Sequence, residues 1–491
     1  MLSRLRSLLF VAVAGIAAVA VGACARNPAT GQSDLSLVSP AREQQIGDEA
    51  HPQVVAQFGV YEEVPELNAY VATIASRLHS VSEMSGQAFR FTLLDSDMVN
   101  AFAIPGGYVY VTRGLMALAN SEAELAGVIG HEIGHITARH GARRITRQTL
   151  AGLSILGFGI ATRDRNLMEA ASVGAAAWLA GYGRSQELES DELGVRYLTR
   201  AGYDPLAMAT FLEQLGRDSA LSRKIAFQEN QPDPADSWFA THPRTEDRVV
   251  AAAELARADL PNPFEGRKEY LQQIDGMIWG DSPAQGFRRG RNFSHPELRF
   301  SFDVPEGFRM LNSPSEVIAF NADGASLIFD GTANQSGSMA AYAQSWANRA
   351  FGRSVSLNDL EAIDINGMAA GTGWTTVPRQ QGSVDVRFLA IRYDSSTIYR
   401  FIFVTPSASA AMLNEAFRRT TYSFRKLSSS EAAALRPLRI RIDEVRAGDT
   451  IATFAALMQF DNLQRERFMV LNAITSEADL QPGMLVKVIR E

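Results

Sequence analysis

The stretch that decides the fold is His131-Glu132-Ile133-Gly134-His135. A helix turns about 100° per residue, so residues four apart lie on one face. Both imidazoles can therefore reach one metal ion, while Glu132 lies about a quarter-turn away, beside the open side of that metal. Two histidines and a neighbouring carboxylate at this spacing are typical of zinc sites that activate water. The motif indicates hydrolytic chemistry at one zinc ion per chain.

The residues around the motif indicate a helix held inside a folded core. Ser121 and Glu124 form a capping-box pattern, which marks a helix start shortly before the motif. Apolar residues then recur at helical spacing, namely Leu125, Val128, Ile129, Ile133 and Ile136. The alternative, a surface helix with two incidental histidines, does not explain this apolar stripe.

A second stretch resembles part of a known peptidase family. Residues 100–111, Asn-Ala-Phe-Ala-Ile-Pro-Gly-Gly-Tyr-Val-Tyr-Val, followed by the HExxH helix, resemble the family-48 metallopeptidases. That family includes HtpX-type membrane proteases, CAAX prenyl endopeptidases and BepA-type periplasmic proteases. Asn27-Pro28-Ala29-Thr30-Gly31 is similar to its bacterial lipoprotein members. The resemblance covers roughly residues 27–260 and implies a mainly α zincin domain of the gluzincin type with a small sheet.

The resemblance implies a third zinc ligand from a downstream ExxxD motif, here Glu187-Leu188-Glu189-Ser190-Asp191. Glu187 and Asp191 are four residues apart on a second predicted helix, so one carboxylate can bind zinc while the other orients a ligating histidine. Spacing alone does not separate Glu187 from Glu189, Asp191 or Glu192. With the resemblance, the expected ligands are His131, His135 and Glu187, and Asp191 is expected to orient a histidine.

The resemblance extends to Thr241-His242-Pro243-Arg244. In BepA-like members the corresponding histidine lies over the zinc and can block it, and in other members it is proposed to steady the transition state. A donor near the developing oxyanion assists catalysis, whereas a fourth nitrogen on zinc excludes water, so both roles stay open for His242. Arg248, on the same predicted helix, is a candidate for contact with the oxyanion or the substrate carbonyl.

The remaining histidines are predicted to lie outside the metal site. His140 follows His131 by nine residues, about half a turn round a continuous helix, so it is expected to point away from the metal. No partner at ligand spacing accompanies the other three, which are His51, His79 and His295.

The expected mechanism uses zinc to lower the pKa of a bound water. Glu132 then accepts the water proton and passes it to the leaving amine. Tyr108–Thr112 follows a Pro-Gly-Gly break and is predicted to be an edge strand that pairs with an extended peptide. An ordinary sheet strand is the alternative. The predicted groove residues are Asn100, Ala101, Tyr108, Val109 and Tyr110.

The first 23 residues have the pattern of a lipoprotein signal peptide. Arg4 and Arg6 precede an apolar run that ends in Val21-Gly22-Ala23-Cys24, similar to a bacterial lipobox. Cys24 is the only cysteine of the chain, so we expect it to be lipidated and to tether the protein to a membrane. Ala25 after Cys24 favours the outer over the inner membrane. The expected location is the periplasmic side of the envelope.

Charge argues against a nucleic-acid partner. The formal net charge is −7, and removal of the leader with its two arginines makes it −9. No basic patch stands out along the sequence, so proteins or peptides are the expected substrates.

The length of 491 residues favours several domains. After the leader and a tether over 24–40, the zinc peptidase domain is predicted at 41–270, without the tetratricopeptide repeats of BepA-type members. Apolar pieces over 150–161 and 167–180 are too short to span a bilayer and are interpreted as a buried or cleft-capping hairpin.

Residues 291–427 are predicted to form an α+β accessory domain. Apolar residues alternate in Leu298–Val304, Val384–Tyr393 and Ile398–Val404, and Asn366-Gly367 is a hairpin-turn signal. Met339, Tyr342, Ala343, Trp346 and Ala350 recur at helical spacing and are interpreted as core. The segment faintly resembles PsbP/Mog-like domains.

Residues 437–491 resemble a small βααβ LysM module. The resemblance rests on Val445-Arg446-Ala447-Gly448-Asp449-Thr450, on Leu471-Asn472 and on Leu480–Val488. Members often bind N-acetylglucosamine-containing glycan, so peptidoglycan is an expected partner. Ile451-Ala452-Thr453-Phe454 departs from the usual pattern, and a docking domain without sugar affinity is the alternative.

The sequence therefore predicts a lipid-anchored zinc metalloendopeptidase that acts on misfolded or misassembled envelope proteins. Two other classes stay open. One is a cell-wall-binding scaffold with a latent zinc site, and the other is a peptidoglycan amidase guided by the C-terminal module.

Overall fold

The computed structural model describes residues 24–147, 181–225, 238, 242, 246–257, 261–379, 382–460 and 462–491. The signal-peptide prediction and the predicted apolar hairpin fall outside the described residues. The chain divides into two units, of which the first takes in the chain up to Val55, Gly59–Trp279 and Arg439–Arg490. The second is formed mainly by Gly280–Leu438. Within the described residues, no helix has the length and apolar character needed to cross a membrane.

The first unit is mainly helical, with three small sheets. Its helices are α1 (Pro40–Phe58), α2 (Pro65–Ser80), α3 (Arg113–Leu118), α4 (Glu122–Thr137), α5 (Arg184–Ala201), α6 (Ala207–Ile225), α7 (Glu246–Leu255) and α8 (Arg267–Ile274). Its strands in this part are β1 (Cys24–Arg26), β2 (Ser33–Leu35), β3 (Arg90–Leu94), β4 (Ala101–Ile104), β5 (Tyr108–Thr112) and β6 (Ile278–Trp279). Strands β1 and β2 pair with each other.

Helix α4 carries the HExxH motif through the centre of this unit. The Ser121 side chain caps it by accepting from the Glu124 backbone N–H at 3.1 Å. Glu124 does not complete the reciprocal pair, because its Oε2 accepts from the backbone of Asn120 at 2.7 Å. The predicted start of the helix is therefore confirmed by a single cap.

Small residues let α4 and α5 approach closely. A Cβ added to Gly130 would lie 3.3 Å from the Gly194 Cα, and one added to Gly134 would lie 3.2 Å from the Ser190 carbonyl oxygen. This contact brings the carboxylates of α5 against the histidines of α4, because the helix axes can approach only where side chains are small.

The strand order β3-β5-β4 corrects one expectation. Strand β5 is parallel to β3 on one side and antiparallel to β4 on the other, so it is a central strand. All five of its residues are buried. The prediction that Tyr108–Thr112 is an edge strand is wrong, because the pattern of β-branched and aromatic residues marks a strand without showing its neighbours.

The C-terminal segment belongs to the first unit. Strands β18 (Leu438–Glu444) and β19 (Leu485–Arg490) flank α12 (Ile451–Ala455) and α13 (Gln464–Leu471), in the order predicted from the sequence. They join β6 in one sheet of order β19-β18-β6. The Lys487 ammonium is buried and donates to the carbonyl oxygens of Ala117, Leu118 and Ala119 at 2.7–3.2 Å. The LysM assignment itself stays a prediction.

The second unit is an α+β fold built on a seven-stranded antiparallel sheet of order β10-β11-β12-β16-β15-β14-β13. Its strands are β7 (Phe287–Arg289), β8 (Asn292–His295), β9 (Phe300–Asp303), β10 (Arg309–Asn312), β11 (Glu316–Phe320), β12 (Ser326–Ala333), β13 (Asn358–Ile365), β14 (Met368–Pro378), β15 (Ser383–Arg392), β16 (Thr397–Pro406) and β17 (Arg425–Lys426). Its helices are α9 (Met339–Phe351), α10 (Ala410–Ser423) and α11 (Ser429–Ala434). A second sheet has the order β17-β9-β8-β7.

Two sequence signals of this unit are confirmed. Asn366 and Gly367 connect β13 to β14 with φ values of 51° and 81°, the backbone of a tight hairpin turn. Of the predicted core stripe of α9, Met339, Tyr342, Ala343 and Trp346 are buried, whereas Ala350 is exposed.

Candidate metal centre

Four polar side chains of the first unit converge on one buried point. His131 and His135 come from α4, Glu187 from α5, and His242 from the residues before α7. Each is fully buried or nearly so. The His131 Nε2 lies 3.0 Å from the His135 Nε2 and 3.3 Å from the His242 Nδ1.

The Glu187 carboxylate completes this group. Its oxygens lie 3.6 Å from the His131 Nε2, 3.5 Å from the His135 Nε2 and 3.1 Å from the His242 Nδ1. Tetrahedral zinc with ligands at about 2.0–2.1 Å separates those ligands by about 3.3–3.4 Å. The four groups therefore have the donor types and the spacing that a single zinc ion requires.

Glu132 lies beside this centre, next to the backbone of Ala103 and the ring of His242. Its carboxylate oxygens are buried, and neither they nor the His242 Nε2 has a hydrogen-bond partner among the described residues. The His242 Nε2 lies 3.5 Å from the Glu132 Oε1. Burial raises the pKa of Glu132 well above its usual range, and the neighbouring Glu187 raises it further. Glu132 also belongs, with His131, His135 and His242, to a cluster of ligand atoms within 4.8 Å of one another that could hold a metal.

Asp191 and Arg248 contact the expected ligands without belonging to the ligand group. The Asp191 Oδ1 lies 2.8 Å from the His131 Nδ1, and both carboxylate oxygens accept from Arg248 at 2.7 and 2.8 Å. Burial alone would raise the pKa of Asp191, but these hydrogen bonds lower it to about 2. The Arg248 Nη1 also lies 2.8 Å from Glu187. Arg248 thus faces two carboxylates, and these contacts favour a positioning role over the oxyanion contact expected from the sequence.

The surroundings favour the neutral form of His135 and hold the rings of His135 and His242 in plane. Burial lowers the pKa of His135, and the neighbouring His131 and His140 lower it further. Tyr182 stacks on His135 with ring centroids 3.8 Å apart, and Trp238 stacks on His242 at 4.0 Å. Neutral imidazoles offer the lone pairs that a metal binds.

His140 does not point away from the metal site as the helical spacing predicted. Helix α4 ends at Thr137, and Arg139 adopts a left-handed φ of 55°, so the chain turns before His140. The His140 Nδ1 then lies 2.7 Å from the His135 Nδ1. The turn itself is made by Ala138 and Arg139, neither of which is a turn-forming residue, and Gly141 follows only after His140. Among the described residues, no contact joins the other three histidines to this centre; for example, the His51 Nδ1 contacts the Tyr110 hydroxyl at 2.8 Å.

The predicted groove residues are buried instead of lining an open groove. Asn100 is 8% exposed and Ala101 is fully buried, while Tyr108, Val109 and Tyr110 lie in the central strand β5. In the described part of the chain β4 pairs with β5 alone, so β4 provides the free edge. A cavity of about 140 Å³ lies beside His135, and its lining includes Ala103, Ile104, Phe89 and Tyr182.

Comparison with known proteins agrees with this geometry. Residues 65–256 match the model of Peptidase family M48. These residues form an M48 peptidase domain. The family prediction made from the HExxH helix and the residues before it is thereby confirmed.

Curated relatives match over the M48 domain and its surroundings. The beta-barrel assembly-enhancing protease of Yersinia pestis is 31% identical over 266 residues, which are 52% of this chain and 52% of that protein. The mitochondrial metalloendopeptidase OMA1 of Schizosaccharomyces pombe is 27% identical over 224 residues, covering 45% and 63% of the two chains. The chain spans about half the length of the first of these. Among solved structures, cyanobacterial PsbP from Synechocystis sp. PCC 6803 is 17% identical over 29% of this chain and 98% of that chain, with a TM-score of 0.24.

Proposed function

We propose that this chain is a zinc endopeptidase that hydrolyses peptide bonds of misfolded or misassembled envelope proteins. The observation that carries the proposal is the set of three imidazole nitrogens and one carboxylate, in which five pairs of groups lie 3.0–3.6 Å apart, with the buried Glu132 carboxylate beside them. The names of the curated relatives, a protease linked to β-barrel assembly and a metalloendopeptidase, support the reaction class and the substrate class.

His131, His135 and Glu187 would hold one zinc ion, which supplies Lewis acidity toward water and the substrate carbonyl when bound. Glu132 is the general base, because its buried carboxylate lies beside the cluster and outside the set of expected ligands. It takes a proton from the attacking water and returns it to the leaving amine. Burial raises its pKa, which makes its carboxylate a stronger base than that of an exposed glutamate.

Asp191 and Arg248 are positioning residues in this proposal. Asp191 fixes the ring of His131, and Arg248 fixes both Asp191 and Glu187. His242 would occupy the fourth ligand position through its Nδ1, because that atom lies at ligand spacing from His131 and Glu187. The arrangement is then a latent form of the enzyme, which becomes active when His242 leaves the metal.

The free edge of β4 is the proposed docking strand for the substrate. An extended peptide added to this edge gains main-chain hydrogen bonds without displacing a strand of the sheet. Ala103 and Ile104 of this strand also line the cavity beside His135, which places one substrate side chain there. This assignment replaces the one made for β5 from the sequence.

Cys24 is the proposed lipidation site, which would tether the peptidase to the periplasmic side of the envelope, at the outer membrane. The support is the sequence alone, in the apolar leader and the residues before Cys24. Binding of peptidoglycan by the C-terminal segment is likewise a proposal from the sequence.

Metal analysis joined to a protease assay tests the proposal. The purified mature protein should contain one zinc per chain and digest casein, and Glu132→Gln should keep the zinc while lowering the rate by about 100- to 10,000-fold. The exposed Glu192→Gln, on the same helix as Glu187, serves as the matched control and should cleave like the wild type. Full activity of Glu132→Gln would overturn the mechanism. Release of muropeptides without protein cleavage would favour the amidase.

A further inference from the structure

A chain of polar contacts runs from the back of His135 to the surface of the first unit. The His135 Nδ1 lies 2.7 Å from the His140 Nδ1, and the His140 Nε2 lies 3.0 Å from the Glu189 Oε2. Glu189 also accepts from the Arg143 Nη1 at 3.1 Å. His140 is fully buried, whereas the Glu189 side chain is 23% exposed.

This geometry leaves only one arrangement of protons when His135 binds a metal. The His135 Nε2 faces the ligand cluster, so its lone pair goes to the metal and the ring proton resides on Nδ1. The His140 Nδ1 must then accept that proton in a hydrogen bond, which places the His140 proton on Nε2. This second N–H points at the Glu189 carboxylate, which accepts it.

We propose that His140 and Glu189 are positioning residues that hold His135 in the tautomer and ring orientation required for metal binding. The inference rests on the proposed zinc function. Glu189 then has the role for His135 that Asp191 has for His131. Asp191 contacts the His131 Nδ1 directly at 2.8 Å. For His135 the carboxylate acts through an intervening imidazole.

The other neighbours of His135 and His140 do not select the tautomer of His135. Tyr182 stacks flat on His135 and restrains the plane of the ring, but a stacked ring does not select which nitrogen carries the proton. The Ser190 hydroxyl lies 3.4 Å from the His140 Nδ1, a longer contact than the one made by His135. The His140 Nδ1 is therefore the group that selects the tautomer of His135.

A pair of nearly isosteric variants separates this role from packing. In His140→Asn the amide oxygen takes the place of Nδ1 and can still accept from His135, whereas His140→Leu fills a similar volume without an acceptor. Zinc affinity, measured by competition with a chromophoric chelator, should fall about 10- to 100-fold in His140→Leu and remain within about threefold of the wild type in His140→Asn. The visible spectrum of the Co²⁺-loaded proteins should change in the leucine variant alone.

Equal zinc affinities of the two His140 variants would overturn the inference. If His140→Leu does not fold, Glu189→Leu and Glu189→Gln at the partly exposed end provide the same comparison, since only Gln retains an oxygen that accepts from the His140 Nε2. Equal affinity of this second pair would again overturn it. Absence of zinc binding by the wild type would overturn the proposed function as well, so the two failures are distinguishable.

Discussion

Arg248 binds both carboxylate oxygens of Asp191, at 2.7 and 2.8 Å, in a fully buried pair. Asp191 in turn contacts the His131 Nδ1, and Arg248 also contacts Glu187. One guanidinium therefore holds both the Asp191 carboxylate, which contacts His131, and the carboxylate of the expected ligand Glu187. The planar fork of arginine allows both contacts at once, which a single ammonium cannot reproduce.

Arg248→Lys should accordingly weaken zinc binding although it keeps the positive charge. We expect the affinity to fall about tenfold or more, because Asp191 and Glu187 lose part of the contacts that orient them. Chelator competition measures this change, and Arg217→Lys, at a half-buried arginine paired with Glu213, should leave the affinity unaltered. An Arg248→Lys protein that binds zinc normally and loses only kcat would instead restore the oxyanion role expected from the sequence.

His242→Ala should raise the rate of casein cleavage. If His242 occupies the fourth ligand position in about nine-tenths of the molecules, its removal increases the competent fraction and the rate about tenfold. The double variant with Glu132→Gln should stay inactive, which shows that the added activity uses the same centre. A lower rate at unchanged zinc content would mean that His242 assists the transition state.

The sequence predicted the parts of this centre that follow from local periodicity. The HExxH spacing placed His131 and His135 on one helix, whereas Glu187 was singled out only by the resemblance to family-48 peptidases, and the structure brings the three side chains together. The close contact of α4 and α5 depends on Gly130, Gly134 and Gly194. The sequence shows these glycines but not which helix each of them packs against. That pairing is a tertiary property and cannot be read from one segment.

Other features depended on a turn or a neighbour that has no local signature. The role of His140 was missed because Arg139 adopts a left-handed conformation that arginine seldom takes. The edge of the sheet was assigned to β5 because strand propensity does not record which strands lie beside it. The place of 439–490 within the first unit depends on contacts such as that of Lys487 with α3, which join residues some 370 positions apart.

Lys487→Met should destabilise the first unit. The ammonium is the common donor to three carbonyl oxygens around the end of α3, and its loss leaves them buried without this partner. Burial lowers the pKa of Lys487 well below its usual range, so the effect is set by the unsatisfied carbonyl oxygens and not by the charge. Leaving buried acceptors unsatisfied costs roughly 1–3 kcal/mol, so the urea midpoint should fall measurably. The exposed Lys268→Met is the matched control and should keep the wild-type midpoint. An unchanged midpoint for Lys487→Met would show that the C-terminal segment adds no stability through this contact.

His295 makes the second unit sensitive to acid. Burial lowers its pKa to about 4, and its Nδ1 accepts from the Leu298 backbone N–H at 3.2 Å, which requires an unprotonated nitrogen. Between about pH 6.5 and pH 4 the unfolded chain therefore binds a proton that the folded chain does not, so stability falls as the pH falls through this window. The difference of about 2.5 pKa units corresponds to roughly 3 kcal/mol at the acid end.

His295→Asn should remove this part of the pH dependence, because the amide oxygen can accept from Leu298 and does not titrate. Urea unfolding at steps from pH 8 to pH 4 measures the effect. Above about pH 7.5 both proteins carry almost no charge at this position in either state, so their stability curves should run parallel there and serve as the internal control. Below it the wild type should lose more stability than the variant. Curves that stay parallel down to pH 4 would show that His295 is protonated equally in the folded and unfolded chains.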